Sequence, residues 1–180
     1  MDWVDSFVPN ECQWMPFYFE NDIENIDDKK APFVPLTHDV CVQFVDFMNL
    51  SKDDILLDMG CGDGRILIQS LLASECKEGY GIDIEPEAIQ RAETNKVRSQ
   101  CQKPLHLVCG DFFTTKEIPW DKITVVSLYL LPEVLDLLYP LLEEKLHHTT
   151  LYTAVFPFGE NTKFGVHEHT PFPDFYKYKF

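Results

Sequence analysis

The chain has 180 residues, of which 45% are hydrophobic and 25% charged, a composition typical of one globular domain. Its 30 acidic and 15 basic side chains give a formal net charge of −15, which argues against binding to nucleic acid or to an anionic membrane surface. An acidic field favours basic partners instead, such as lysine-bearing proteins or small amines.

The cysteines and histidines predict neither disulfides nor a metal site. None of the six cysteines forms a CxxC pair or a zinc-type spacing, and the His147–His148 and His167–His169 pairs lack further ligands nearby. The N-terminus has no basic signal-peptide region, and no apolar run approaches the roughly 18 to 20 residues of a membrane span. We therefore expect free thiols and a cytoplasmic protein without a membrane segment.

Residues 1–31 differ in composition from the remaining chain, residues 32–180. They contain eight acidic and two basic side chains, with aromatic residues interleaved. Aromatic residues are scarce in simple disordered segments. We interpret this stretch as an acidic, aromatic N-terminal arm that either packs on the domain or covers the mouth of a substrate site.

From Thr37 onward, helical and strand patterns alternate along the chain. The predicted elements are, in order, helix 38–49, strand 55–59, helix 65–73, strand 80–84, helix 86–98, strand 105–109, strand 123–130, a helix from 132, strand 151–156 and tail strands 163–169 and 175–180. Pro86 and Pro132 suit the first turn of a helix, whereas Pro140 should break or kink the helix that contains it. Such alternation predicts an α/β fold with an open, mostly parallel sheet, helices on both faces and an antiparallel tail.

The strongest motif is a glycine loop, residues 58–64 (DMGCGDG), between the first strand and the following helix. Gly60, Gly62 and Gly64 permit positive φ angles and close approach of a ligand to the backbone. Asp83, at the end of the second strand, can accept hydrogen bonds from both hydroxyls of a ribose. The pattern indicates a nucleotide-like ligand at the carboxyl end of the strands.

The spacing favours S-adenosylmethionine over a dinucleotide. Arg65 occupies the place of the third glycine in the dinucleotide fingerprint. Asp58 would repel a pyrophosphate but suits the ammonium of a methionine moiety. After the third strand, Asp111 can accept from an adenine amino group while Phe112 packs on the ring. The predicted cofactor-binding residues are Thr37, Asp58, Gly60, Cys61, Gly62, Asp83, Ile84, Asp111 and Phe112.

These segments resemble class I S-adenosylmethionine-dependent methyltransferases. Three stretches further resemble the small protein-lysine methyltransferases of archaea and bacteria and their mitochondrial relatives that modify ATP synthase subunit c and the adenine nucleotide translocator. The stretches are residues 32–37 (PFVPLT), 62–66 (GDGRI), and 125–131 (VVSLYLL) with 142–146 (LEEKL). The resemblance spans roughly residues 31–158. It implies a Rossmann-like seven-stranded sheet with a C-terminal antiparallel strand, S-adenosylmethionine as cofactor and methyl transfer to a lysine amine.

The chain also departs from these families. Residues 1–30 match no element of them, and the hydrophobic segment of the mitochondrial members is missing. Residues 129–132 (YLLP) replace the Asp/Asn-Pro-Pro-Tyr element that acts on planar amide or adenine nitrogens. This replacement disfavours methylation of a base or a glutamine.

Methylation of lysine requires a neutral amine, which costs about 4 kcal/mol at neutral pH. An aromatic tunnel would supply the desolvation, and Tyr129 and Phe33 are the predicted catalytic residues, with Phe156 as a further tunnel candidate. Thr37 would bind the cofactor's carboxylate or merely cap a helix, and Glu133 would hold the ammonium or simply be solvated. The alternatives are a methyltransferase for a small amine or other metabolite, a non-catalytic S-adenosylmethionine-binding subunit and, more remotely, an oxidoreductase.

Overall fold

The computed structural model describes residue 3, residues 34–159 and residues 162–179. Apart from Trp3, which packs against the hydrophobic core, the predicted arm at 1–31 lies outside the described residues. The division of the chain at residue 31 therefore stays a prediction.

Helices and strands alternate through most of the described chain. The elements are α1 His38–Met48, β1 Ile55–Met59, α2 Arg65–Ala73, β2 Glu78–Asp83, α3 Pro86–Ser99, β3 Leu105–Cys109, a short 3-10 helix Trp120–Lys122, β4 Val125–Leu128, α4 Pro132–Lys145, β5 Thr150–Ala154, β6 Val166–Thr170 and β7 Phe175–Lys179. None of the helices among the described residues is long and apolar enough to cross a membrane.

The strands form a single seven-stranded sheet in the order β3-β2-β1-β4-β5-β7-β6. Strands β1 to β5 are parallel, and β7 runs antiparallel to both β5 and β6. The predicted Rossmann-like sheet with an antiparallel C-terminal pair is thus confirmed. Chain order reverses between β1 and β4, which creates the crevice where open α/β sheets bind ligands.

Hydrophobic cores lie on both faces of the sheet. Phe44 of α1 and Leu67 of α2 pack with Leu56 of β1 on one face. Leu135 and Leu138 of α4 pack in a second core on the other face, which also contains alternate residues of β1 and β4. Both faces of the central strands are covered, which explains why β1 is buried along its whole length.

Three predicted element boundaries were wrong in ways that affect the site. Strand β4 ends at Leu128 rather than at residue 130, so that Tyr129 lies beyond it. Strand β5 ends at Ala154, because Val155 has a φ of 70° and cannot continue an extended strand. Strand β6 begins at Val166 rather than at residue 163.

Of the two effects predicted for Pro140, a break or a kink in helix α4, the break is wrong. The helix continues from Pro132 to Lys145 with Pro140 inside it. Apolar side chains on both sides of the proline, Leu138 and Leu142, are fully buried. The burial of this face holds both halves on the sheet and offsets the roughly 3 kcal/mol or more that an internal proline costs.

Candidate functional site

The glycine loop bends tightly around the carboxyl end of the neighbouring strand β2. Gly60, Gly62 and Gly64 all have positive φ angles, of 75°, 55° and 77°, as the sequence predicted. The N–H groups of Gly60 and Cys61 donate to the carbonyl of Ile82 at 2.8 and 3.0 Å. A Cβ atom at Gly60 would lie 2.6 Å from Leu130 Cδ2, so this backbone passes close to the segment after β4.

The Asp83 carboxylate is oriented by backbone groups on both sides. Its Oδ2 accepts from the Gly62 N–H at 2.8 Å, and its Oδ1 accepts from the Glu85 N–H at 2.9 Å. These bonds tie the end of β2 to the glycine loop. A carboxylate has about four acceptor positions, so two such bonds leave capacity for the hydroxyls of a ribose.

Asp58 is a buried carboxylate at the end of β1. Ser127, its register partner on β4, donates its hydroxyl to Asp58 Oδ1 at 2.7 Å. Within the part of the chain that the structure describes, the buried Asp58 Oδ2 has no hydrogen-bond partner. Burial raises the pKa of Asp58 from its ordinary 3.8 to about 7. A buried acceptor without a partner is costly, and a cationic ligand group would relieve that cost.

Sequence analysis missed Ser127, which it treated only as part of a strand. The sequence signal was a single polar residue in an otherwise apolar strand. The role of Ser127 depends on the pairing of β1 with β4. Ser127 and Asp58 are 69 residues apart, so the sequence alone does not reveal that they are neighbours.

Asp63 and Arg65 form a buried ion pair that holds the loop from behind. Both are 5% exposed, and Arg65 Nη2 lies 2.6 Å from Asp63 Oδ2. Arg65 Nη1 also donates to the carbonyl of Leu36 at 2.6 Å, and Asn95 donates to the carbonyl of Asp63 at 2.9 Å. Arg65, considered in the sequence mainly as a missing glycine, therefore connects the segment before α1 to the glycine loop.

Cys61 and Ile84 occupy different environments beside this loop. The Cys61 thiol is buried, and burial raises its pKa well above the ordinary value. A Cβ atom at Gly81 would lie 2.9 Å from Cys61 Sγ, so the thiol packs against β2. Ile84 is partly exposed directly after Asp83. Their contact with a cofactor stays a prediction.

Asp111 and Phe112 follow β3 at the same edge of the sheet, and both are partly exposed. Asp111 Oδ1 accepts from the Phe113 N–H at 2.9 Å, which shapes the turn. The Phe112 ring packs against the second core, with its centroid 4.9 Å from that of Phe113. The structure thus places both residues beyond a parallel strand, and their contact with an adenine ring remains a prediction.

The predicted tunnel residues do not form one cluster among the described residues. Tyr129 is partly buried against the first core, and burial raises the pKa of its hydroxyl. Phe156 packs instead against the second core, on the other face of the sheet. Phe33 lies outside the described residues, and Glu133 is exposed in the first turn of α4.

Thr37 precedes α1 with an exposed side chain and makes no side-chain capping hydrogen bond. The alternative that Thr37 merely caps this helix is therefore not supported. Its contact with a cofactor carboxylate stays a prediction.

The strand order, the positive-φ glycine loop after β1 and the acidic residue ending β2 together define a class I S-adenosylmethionine-dependent methyltransferase. Comparison with known proteins agrees. The ANTKMT methyltransferase domain family matches residues 58–163. A protein-lysine N-methyltransferase from Saccharolobus islandicus (strain REY15A) is 35% identical over 116 residues, which cover 64% of this chain and 70% of that protein.

More distant relatives share the fold with other substrates. Ribosomal protein L11 methyltransferase from Haemophilus influenzae (strain PittEE) is 30% identical over 155 residues, covering 79% of this chain and 50% of the relative. The chain thus spans about half the length of these relatives. The crystal structure of an RNA methyltransferase from Salinibacter ruber, in complex with S-adenosyl-L-homocysteine, aligns with a TM-score of 0.72 and 28% identity over 81% of this chain and 93% of that one.

The chain therefore belongs to the ANTKMT methyltransferase domain family. Its cofactor is S-adenosylmethionine. The residues present fit this cofactor, because the buried, unpartnered Asp58 Oδ2 suits an ammonium group and the Asp83 carboxylate keeps acceptor positions for the ribose hydroxyls beyond its two backbone bonds.

Proposed function

We propose that the chain is a protein-lysine N-methyltransferase. The observation that carries this proposal is the 35% identity to an archaeal protein-lysine N-methyltransferase over a segment as long as the matched family domain. The L11 methyltransferases, which are also related, likewise act on a protein by name. The net charge of −15 adds a reason to expect a lysine-bearing acceptor.

We call the segments after β1, β2 and β3 the cofactor half of the sheet's carboxyl edge. In this proposal, the polar groups of the cofactor half bind S-adenosylmethionine. Asp58 pairs with the ammonium of the methionine moiety, and Asp83 accepts from the ribose hydroxyls. Asp111 and Phe112 contact the adenine ring, and the backbone of residues 60–62 lies against the cofactor. The hydrogen bonds that already orient Asp58 and Asp83 support these roles, since pre-positioned groups lose little entropy on binding.

Bound S-adenosylmethionine supplies an electrophilic methyl group on a sulfonium. The chain must then hold a neutral amine in line with that group, and such orientation can contribute about 7 to 11 kcal/mol. The amine first loses its proton to water. The burial that raises the pKa of Tyr129 also disfavours an ammonium beside it, which favours the neutral amine.

The proposed acceptor is a protein in a reducing, cytoplasmic compartment. The five cysteines among the described residues are free thiols, as such a compartment maintains. Two other acceptor classes remain as outcomes to be tested. Small amines suit the acidic charge, and the related Salinibacter ruber structure is that of an RNA methyltransferase.

The test is incubation with methyl-labelled S-adenosylmethionine and a lysate from cells lacking this protein. Wild type is compared with Asp83→Asn, which removes the charge on the ribose side. The matched control is Glu93→Gln on the exposed face of α3, which loses only an exposed ion pair with Lys96. Protein, RNA and low-mass fractions are counted separately.

The expected result is label in discrete protein bands, released as methyl-lysine by acid hydrolysis. Glu93→Gln should keep this label, and Asp83→Asn should lose most of it while remaining folded by circular dichroism. Label confined to the RNA or low-mass fraction would overturn the lysine assignment and identify the true acceptor class. Binding of cofactor without label in any fraction would favour a non-catalytic subunit.

A further inference from the structure

The turn between β6 and β7, residues 171–174, lies at the same edge of the sheet as the glycine loop. Phe175, which begins β7, pairs with Ala154 at the carboxyl end of β5, and Thr170 at the end of β6 pairs with Phe175. The parallel strands β1, β4 and β5 all point toward this edge. The turn therefore belongs to the same rim as Asp58 and Tyr129.

The turn is fixed to the segment that follows β5. The Val155 N–H donates to the carbonyl of Asp174 at 2.7 Å, and the Phe156 N–H donates to the carbonyl of Ala154 at 2.9 Å. With its φ of 70°, Val155 is the central residue of a γ-turn, a rare and strained conformation for a β-branched residue. Backbone strain of this kind is found mainly at functional sites, where surrounding contacts maintain it.

Phe172, in this turn, is the most exposed large apolar side chain among the described residues. Its side chain is 93% exposed, whereas most aromatic rings in the described part of the chain pack against a core. Its neighbours Pro171 and Pro173 restrict the backbone on both sides. An apolar ring held in this way presents a pre-formed contact for a partner that approaches the rim.

The position of Phe172 relative to β4 determines how far from the target lysine an acceptor side chain must lie to contact this ring. The turn joins β7 to β6, which lie two and three strand spacings from β4, so Phe172 is separated from β4 by about 10 to 14 Å along the sheet edge. An extended peptide advances about 3.3 Å per residue and covers this distance in about three to four residues. A peptide whose lysine enters beside Tyr129 can therefore reach Phe172 with a nearby side chain.

We propose that Phe172 determines acceptor specificity by binding a large apolar side chain about three to four residues from the target lysine. This inference rests on the proposed lysine methyltransferase function. The occupant of the surface is thus an extended segment of the acceptor protein. Continuity of the turn with the post-β5 segment and the acidic charge of the chain both favour a lysine-bearing segment there.

The experiment uses 11-residue peptides of Gly and Ser with one central lysine and a single leucine moved through the other positions. Methylation is measured as kcat/KM for wild type and Phe172→Asn, because Asn tolerates a positive φ such as the 52° of Phe172. Phe172→Leu tests rescue by another apolar residue. Val166→Thr is the matched control, since Val166 is an exposed apolar residue at the opposite end of β6.

Wild type should prefer leucine near the third or fourth position from lysine by about tenfold, the factor that corresponds to about 1.4 kcal/mol. Phe172→Asn should abolish this preference without changing the affinity for S-adenosylmethionine, measured by calorimetry. Phe172→Leu and Val166→Thr should retain it.

An unchanged preference in Phe172→Asn, or a wild type that shows none or labels no peptide, would overturn the role of Phe172. A concentration-dependent dimer that Phe172→Asn dissociates in sedimentation would assign the ring to a second copy of the chain instead. These outcomes are distinct from failure of the proposed function, which the lysate experiment decides by the absence of methyl-lysine.

Discussion

The cofactor half and the acceptor half of the sheet's carboxyl edge are built on different principles. In the cofactor half, charged groups are buried and held by short hydrogen bonds, as in Asp58 with Ser127 and Asp63 with Arg65. In the proposed acceptor half, formed by the segments after β4 and β5 and by residues 171–174, Tyr129 and Phe156 are partly exposed and Phe172 is 93% exposed.

This difference indicates which segments should determine cofactor binding and which should determine the choice of acceptor. A cofactor common to a whole class requires fixed polar groups, which cost stability when left unpaired. In the proposed function, an acceptor that varies among relatives would be bound by surface segments whose side chains can change at little cost to the fold. Substitutions in the two halves should therefore have separable effects, larger on stability in the first and larger on substrate selection in the second.

The largest expected effect is that of Arg65→Leu in the cofactor half. Removal of the guanidinium leaves the Asp63 charge buried, and the free energy of unfolding should fall by about 3 to 5 kcal/mol. Urea denaturation measures it. Lys96→Leu, which breaks an exposed ion pair on α3, is the control and should cost less than about 1 kcal/mol. Similar losses in the two variants would refute the assignment of Asp63 and Arg65 as a buried pair.

Asp58 should make the stability of the cofactor-free protein depend on pH. Because its folded-state pKa of about 7 lies above the ordinary 3.8, its protonation favours the folded state. This contribution is complete below pH 3.8 and is lost as the pH rises to about 7, a difference of about 4 kcal/mol. The side chain of the Asp58→Asn variant stays neutral at every pH and does not lose this contribution. The free energy of unfolding of the variant should therefore rise relative to wild type over this pH range. Parallel pH profiles of the two proteins, measured by denaturant unfolding, would contradict the raised pKa.

Gly60→Ala probes the contact between the two halves. A side chain at a φ of 75° costs about 1 to 2 kcal/mol, and the new Cβ atom would press on Leu130. We expect weaker binding of S-adenosylmethionine in calorimetry as well as this loss in stability. Gly165→Ala should change neither quantity, since nothing lies within 4 Å of a Cβ atom there. Adding Leu130→Ala to Gly60→Ala should restore part of the lost stability, because it removes the side chain that the new Cβ atom presses on. If no stability is restored, the loss is due to backbone strain at residue 60 alone.

The smallest expected effect is that of Tyr129 in the proposed acceptor half on turnover. Tyr129→Phe keeps the apolar ring and should retain turnover within about threefold, whereas Tyr129→Ala should lower kcat by about tenfold or more. Neither variant should alter the affinity for S-adenosylmethionine. Equal loss of turnover in both variants would show that the hydroxyl, not the ring, is required.

The conformation of the glycine loop and the position of Asp83 could be predicted from the sequence, because their signals are local. Positive φ angles at Gly60, Gly62 and Gly64 and the position of Asp83 follow from a continuous motif and its spacing to the next strand. The sheet could be predicted for a similar reason, since the alternation of helix and strand leaves few right-handed topologies.

The partnerships around these motifs could not be predicted, because they join distant positions. Ser127 reaches Asp58 only once β4 lies beside β1, and Arg65 reaches the carbonyl of Leu36 only once α1 packs on α2. The continuation of α4 through Pro140 was missed because the burial of its apolar face outweighs a local propensity. The conformation of Val155 was missed because its carbonyl partner, Asp174, comes from a later turn.

The strand order has a consequence for the folding of the chain. Leu56 of β1 pairs with Val125 of β4, and β7 lies between β5 and β6, which forms the outer edge. During synthesis, β1 can pair with β2 well before β4 exists, and one edge of the most buried strand then stays open. Long-range pairings of this kind slow folding and expose apolar strands to association. Refolding from denaturant should therefore yield more aggregate as the protein concentration rises, although the folded chain keeps β1 fully covered.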